Sequence, residues 1–216
     1  MFKNRKEAGE LLAKNLKKLQ ITSPVVVALP RGGIPVGLEI AKELNAPLDL
    51  LFIKKIPAPL NEEIGIGSVS ESGLIFLNKE LIEHSFADEE YIEQKAKEKI
   101  IQIAKLREKY KYDPILLEGK DVILVDDGVA TGSSIYLAAQ SIARDLPRNV
   151  IIAIPVAPND KKVLDMLKSV SNHLEILLKP DIFISVGRWY KDFHQLSDEE
   201  VIELLNETKI LLKDKK

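Results

Sequence analysis

Cysteine is absent from all 216 residues, which excludes disulfides, thiolate catalysis and thiolate metal sites. Histidine is nearly as scarce. His84, His173 and His194 share no metal-ligand spacing, so each reads as a surface or core-edge residue. Aromatics make up only 6%, with a single tryptophan. Neither sign of charge is in surplus: 31 Lys and Arg stand against 33 Asp and Glu, a formal net charge of -2, with no long run of one sign. A nucleic-acid footprint spread over the surface is therefore not expected. No apolar run approaches the roughly 18 residues of a membrane span. A membrane partner is not expected, and the cytoplasm is the default location.

What is present is an alternation of short apolar runs with helical patterns. Arg5 to Gln20 is amphipathic, with Ala8, Leu12, Leu16 and Leu19 on one face. Pro24 to Leu29 is an apolar run that predicts a buried strand, and Ile34 to Leu44 a helix with Pro35 in its first turn. Leu48 to Ile53 predicts a second strand ending on Lys54 and Lys55, followed by a loop carrying Pro57 and Pro59. Ile64 to Ser70 and Leu74 to Leu77 form a hairpin pattern around Glu71-Ser72-Gly73. A long helix is expected over Asp88 to Tyr112, then strands at Val122 to Val125, Val150 to Ile154 and His173 to Leu178. Helices fall between these strands, and a capping box at Ser197-Asp198-Glu199-Glu200 opens the last one. This order predicts α/β architecture: one domain over residues 1–216, built on a doubly wound open parallel sheet flanked by helices. A hairpin and helical insertion at 58–112 forms a small hood, and 180–216 supplies an aromatic segment and a terminal helix.

Two loops carry chemistry. The Val122 strand runs straight into Asp126 and Asp127, and Gly128-Val129-Ala130-Thr131-Gly132-Ser133-Ser134 then opens a helix. Such a strand delivers polar groups to the carboxyl edge of the sheet, where open α/β folds bind ligands. Backbone N–H groups, two glycines and three hydroxyls at a helix N-terminus suit a phosphate. Adjacent carboxylates on an apolar strand are costly unless they hold hydroxyls or a hard cation. Arg31-Gly32-Gly33 follows the first strand with a cation and a closely approachable backbone, which suits a second phosphate group.

Together these residues resemble the type I phosphoribosyltransferase family, whose signature is an apolar strand, two acids, three variable residues and Thr-Gly-x-Ser/Thr. Asp126 to Ser134 matches it in full. Within the family, the chain is most similar to a subgroup of predicted phosphoribosyltransferases. These share an Ala28-Leu29-Pro30-Arg31-Gly32-Gly33 start and an aromatic-rich end like Trp189 to Glu200. The resemblance implies transfer of 5-phosphoribosyl from phosphoribosyl pyrophosphate to a nitrogenous base, with release of pyrophosphate. It implies that Asp126 and Asp127 hold the ribose 2- and 3-hydroxyls. Backbone N–H groups of Val129 to Ser133, with the Thr131 and Ser134 hydroxyls, would grip the 5-phosphate. Arg31, Gly32 and Gly33 would contact pyrophosphate, with Mg²⁺ held mainly by ligand and water near Asp126 and Asp127. Lys54 or Lys55 would neutralise the departing pyrophosphate. A cis peptide at Pro30–Arg31 is also implied.

Ala130 stands where 6-oxopurine enzymes of the family carry an aspartate that contacts the purine, which disfavours hypoxanthine and guanine. Ala58 to Gly67 is the expected lid, with Glu62 or Glu63 as its only acids for a general base. Trp189 and Tyr190 are candidates for stacking a planar base. The long helix reads as a covering element, and a homodimer is left open. The rival function is a regulator that binds phosphoribosyl pyrophosphate or a nucleotide without turnover. A Rossmann oxidoreductase is disfavoured, because no Gly-x-Gly-x-x-Gly follows the first strand.

Overall fold

β-Branched residues dominate the apolar runs of the three central strands, which are buried along nearly their whole length. A computed structural model describes residues 1–213. Strands β1 (Pro24–Ala28), β2 (Leu48–Leu50), β6 (Asp121–Val125), β7 (Asn149–Val156) and β8 (His173–Leu178) form a parallel sheet in the order β2-β1-β6-β7-β8. Alternation along β1 splits the core. Val26 and Ala28 pack with Leu12, Leu16, Ile34 and Ile40 from helices α1 (Arg5–Leu16) and α2 (Gly33–Leu44). Val25 and Val27 pack on the other side with Ile135, Ala138 and Leu167 from α5 (Ser133–Ala143) and α6 (Lys161–Lys168). The capping box at Ser197 forms as expected. Glu200 N–H donates to Ser197 Oγ at 3.2 Å, Ser197 N–H donates to Glu200 Oε2 at 2.8 Å, and α7 (Asp198–Lys213) follows.

From β1 the chain moves outward to β2 and later returns to the opposite side of β1 as β6. The winding thus reverses between β1 and β6, which pair from Pro24↔Asp121 to Ala28↔Val125. The loops after these two strands leave side by side at the carboxyl edge. That is where open α/β sheets place their ligands.

The expected second strand is wrong in its second half. β2 stops at Leu50, and Ile53–Ala58 is a new strand, β3, of a separate antiparallel sheet with β4 (Asn61–Ser70) and β5 (Ile75–Leu77). Pro57 hid this strand. It sits at a register irregularity in the β3–β4 pairing, where a residue without an N–H is tolerated. The expected lid at 58–67 is accordingly the turn and outer half of a hairpin rather than a loop. Helix α4 (Glu89–Tyr110), capped by Asp88, covers one face of this small sheet through Ile92 and Ala96, and Ile103 and Tyr110 continue into the main core. A short helix at Lys79–Glu83, α3, had no clear sequence signal.

Candidate active site

The loop after β6 is shaped by what its glycines approach. Gly132 has φ +81, the left-handed region that favours glycine, and an added Cβ would lie 2.5 Å from Met166 Cε. Val129 is pinned by its N–H donating to Val156 O at 2.9 Å. Ala130, Thr131 and Ser134 are left exposed at the N-terminus of α5. Thr131 Oγ1 and Ser133 Oγ share a hydrogen bond at 3.2 Å. The loop after β1 lies directly against the acidic pair. A Cβ on Gly32 would come within 2.0 Å of Asp127 Oδ2, and one on Gly33 within 2.7 Å of Val125 O. Leu29 N–H donates to Val125 O at 2.9 Å, and the Pro30–Arg31 peptide is cis.

The two acids differ in environment. Burial and then the negative charge of Asp127 push the Asp126 carboxyl well above the usual carboxylate range. Burial also raises Asp127, but the Arg5 guanidinium opposes it across a 2.8 Å ion pair. Of the two, Asp127 is the acid ion-paired with Arg5. Asp126 Oδ1 accepts the Asp127 N–H at 2.8 Å.

The cations expected from sequence are divided between two places. Arg31 reaches the start of α7, donating to Leu196 O at 2.7 Å and lying 3.2 Å from Asp198 Oδ1. Asp198 also meets Lys109 at 2.5 Å and the Tyr110 hydroxyl at 2.7 Å. Lys54 is half-buried, and burial followed by the charges of Arg31 and Lys99 holds its ammonium below the usual lysine value. Lys55 lies on the opposite face of β3, because neighbouring residues of a strand alternate. It opens instead on a cavity shared with Thr131, Ser133 and Ser134. Glu62 and Glu63 are exposed at the start of β4.

A phosphoribosyl transferase domain model matches residues 3–185. The crystal structure of TT1426 from Thermus thermophilus is 37% identical, covers 95% of this chain and 98% of that one, and superposes with a TM-score of 0.79. The chain belongs to the phosphoribosyl transferase domain family. Two curated proteins of Mycobacterium tuberculosis, strains CDC 1551 / Oshkosh and H37Rv, carry provisional phosphoribosyl transferase names. Each is 33% identical over 208 residues, which is 95% of this chain but 46% of the relative, so the chain spans about half their length. An adenine phosphoribosyltransferase from Giardia lamblia, solved with 9-deazaadenine, is 14% identical and shares the fold at a TM-score of 0.50, covering 82% of this chain and 80% of that one.

Around this phosphoribosyl transferase domain, the first residues and the segment before α7 brace the acidic pair. The single bridge Phe2↔Tyr190 joins them, with Phe2 N–H donating to Trp189 O and Lys191 N–H to Phe2 O, both at 2.8 Å. Tyr190 is 5% exposed, its ring packs against Phe2 and stacks on Phe193, and its hydroxyl donates to Asp127 O at 2.6 Å. The ring expected to stack a base is thus a buried prop, while neighbouring Trp189 is half-buried. The Arg5 guanidinium lies 3.9 Å from the Phe193 ring centroid and donates to His194 O at 3.0 Å. Arg5 was missed in the sequence, although a signal existed. It falls in the 5-8-12-16 row of an amphipathic helix, where an arginine on the apolar stripe needs a buried partner.

Proposed function

We propose that this chain transfers 5-phosphoribosyl from phosphoribosyl pyrophosphate to a nitrogenous base in the cytoplasm, with Mg²⁺ as cofactor. One observation carries the reading. The Arg31-Gly32-Gly33 loop and the Asp126-Asp127 pair are in van der Waals contact at the switch point, with a helix N-terminus beside them. A phosphate loop, a diol-binding acid and a second anion loop then face one small volume. Phosphoribosyl pyrophosphate presents the complementary groups.

In the transfer, the anomeric C–O bond breaks and its electron pair leaves with pyrophosphate. A base nitrogen forms the new C–N bond from the opposite face, inverting the centre, and its N–H proton is lost. The intermediate charge distribution resembles an oxocarbenium ion, as in other glycosyl transfers. Lys54, held near Arg31 and without an ion pair among the described residues, supplies positive charge where the leaving group gains negative charge. Asp126 accepts from the ribose hydroxyls, and Arg5 keeps Asp127 fixed behind it. Among the described residues, no group of three or more His, Cys, Asp and Glu side chains could hold a metal. The adjacent hard carboxylates of Asp126 and Asp127 would suit a magnesium ion held mainly by the donor and water. Such an ion would supply positive charge to offset that of the pyrophosphate leaving group. Ala130 supports an acceptor other than a 6-oxopurine.

The test is pyrophosphate release from phosphoribosyl pyrophosphate and Mg²⁺ across a panel of bases. Release with one base names the acceptor. Tight donor binding with no release for any base would replace the transferase by a regulator that binds without turnover.

A further inference from the structure

The small sheet turns one row of side chains toward the phosphate loop. Residues paired across antiparallel strands share a face, and the register pairs Lys55↔Ser68 and Ser68↔Phe76. Phe76 in turn packs edge-on against Tyr136 of α5, ring centroids 5.4 Å apart. Lys55, Ser68 and Phe76 therefore line one wall of a cavity of about 240 Å³, and Thr131, Ser133 and Ser134 line the other. Among the described residues, no carboxylate lines it. The Lys55 ammonium donates to a carbonyl, Glu63 O at 2.7 Å, and forms no ion pair among the described residues. Ser68 is 4% exposed, yet its Oγ has no hydrogen-bond partner among the described residues. Leaving such a hydroxyl unsatisfied is costly, and native structures keep few of them. Gly65 leaves the lysine its path, since a Cβ there would lie 2.5 Å from Lys55 Cδ.

An uncompensated ammonium, an unpartnered buried hydroxyl and a helix N-terminus converge on one cavity, which is too small for a whole nucleotide but holds a phosphate and the carbons beside it. We propose that Lys55 and Ser68 form the second half of a phosphate-monoester pocket, clamping the 5-phosphate of a sugar phosphate from the side facing the loop. This rests on the reading that Thr131 to Ser134 hold that phosphate. It separates the two adjacent lysines: Lys54 belongs to the pyrophosphate side, and Lys55 to the 5-phosphate. It also makes the small sheet a sensor of sugar phosphorylation, because the hairpin gains a partner only when a 5-phosphate is present.

Calorimetric titration with ribose 5-phosphate, ribose and pyrophosphate tests this on the wild-type chain, Lys55→Met and Ser68→Ala. Wild type should bind ribose 5-phosphate and not ribose. Lys55→Met should weaken ribose 5-phosphate by about tenfold or more and Ser68→Ala by roughly two- to fivefold, with pyrophosphate affinity little changed. Lys55 is exposed, so a thermal scan should find its variant folded. Loss of pyrophosphate rather than ribose 5-phosphate affinity in Lys55→Met would overturn the assignment. So would a wild type that does not bind ribose 5-phosphate. A Lys55-dependent ribose 5-phosphate site in a chain that never releases pyrophosphate would uphold the pocket and reject the transferase.

Discussion

Asp126→Asn and Asp127→Asn are isosteric changes of adjacent residues, and they should move stability differently. Asp127 and Arg5 form a 2.8 Å pair whose side chains are 14% and 10% exposed. Removing one charge of a buried pair strands the other and costs about 3–5 kcal/mol. The asparagine amide oxygen can still accept from the guanidinium, so the lower end applies, about 3 kcal/mol. For a chain of this size, each kcal/mol shifts the melting temperature by roughly 2–4 °C. Asp127→Asn should therefore melt about 6–12 °C lower. Among the described residues Asp126 carries no such pair, and its carboxyl is already pushed upward by burial and by Asp127. Asp126→Asn keeps an acceptor for the Asp127 N–H and should melt at or above the wild-type temperature at pH 7. Calorimetric scans of both variants, with Arg5→Met and Arg5→Met/Asp127→Asn to close the cycle, read the pair directly. Equal losses in the two single variants would refute the asymmetry. A double variant costing the full sum of its singles would show that Arg5 and Asp127 do not couple.

Three further outcomes are expected. The folded Asp126 carboxyl sits above its unfolded value, so the folded chain holds a proton that the unfolded chain releases. That contribution is complete below the ordinary carboxylate value of about 3.9 and is lost as pH rises toward the folded value. The melting advantage of Asp126→Asn should accordingly be small at acid pH and grow toward neutrality; a constant offset across the range would contradict this. Gly32 has φ -60, so Gly32→Ala strains no dihedral, but its Cβ would meet Asp127 Oδ2. It should weaken pyrophosphate binding by about tenfold or more, and unchanged affinity would separate the loop from the site. Tyr190→Phe deletes the 2.6 Å bond to Asp127 O while keeping the ring stack, and should cost about 1 kcal/mol in denaturant unfolding. A much larger loss would mean that the variant disturbs the stack as well.

Most of the main sheet was legible because its central strands are short buried runs of Val, Ile and Leu, and the Asp126 to Ser134 loop announces itself by two acids at the end of such a run. The cis Pro30–Arg31 peptide and the Ser197 capping box were legible too. Strand β3 was not, because Pro57 reads as a loop residue until its register irregularity is seen. Missing β3 also merged the two lysines, whose opposite directions follow from strand alternation alone. Tyr190 was misread and Arg5 went unread for a different reason. The helical row marks Arg5 as buried, but the partners of both residues depend on residues 1–5 meeting residues 189–194, a closure that no local pattern encodes. An aromatic near a site reads as a base platform, and only packing reveals that Tyr190 faces Phe2 and Phe193.

On the proposed function, the β1 and β6 loops form one donor site. Equilibrium titration of phosphoribosyl pyrophosphate with Mg²⁺, run on wild type, Asp126→Asn and Gly32→Ala, tests it most directly. Saturable one-to-one binding by wild type, weakened about tenfold or more by each substitution in chains that remain folded, is the predicted result. Absence of donor binding by the wild-type chain, or binding indifferent to both loops, would contradict it.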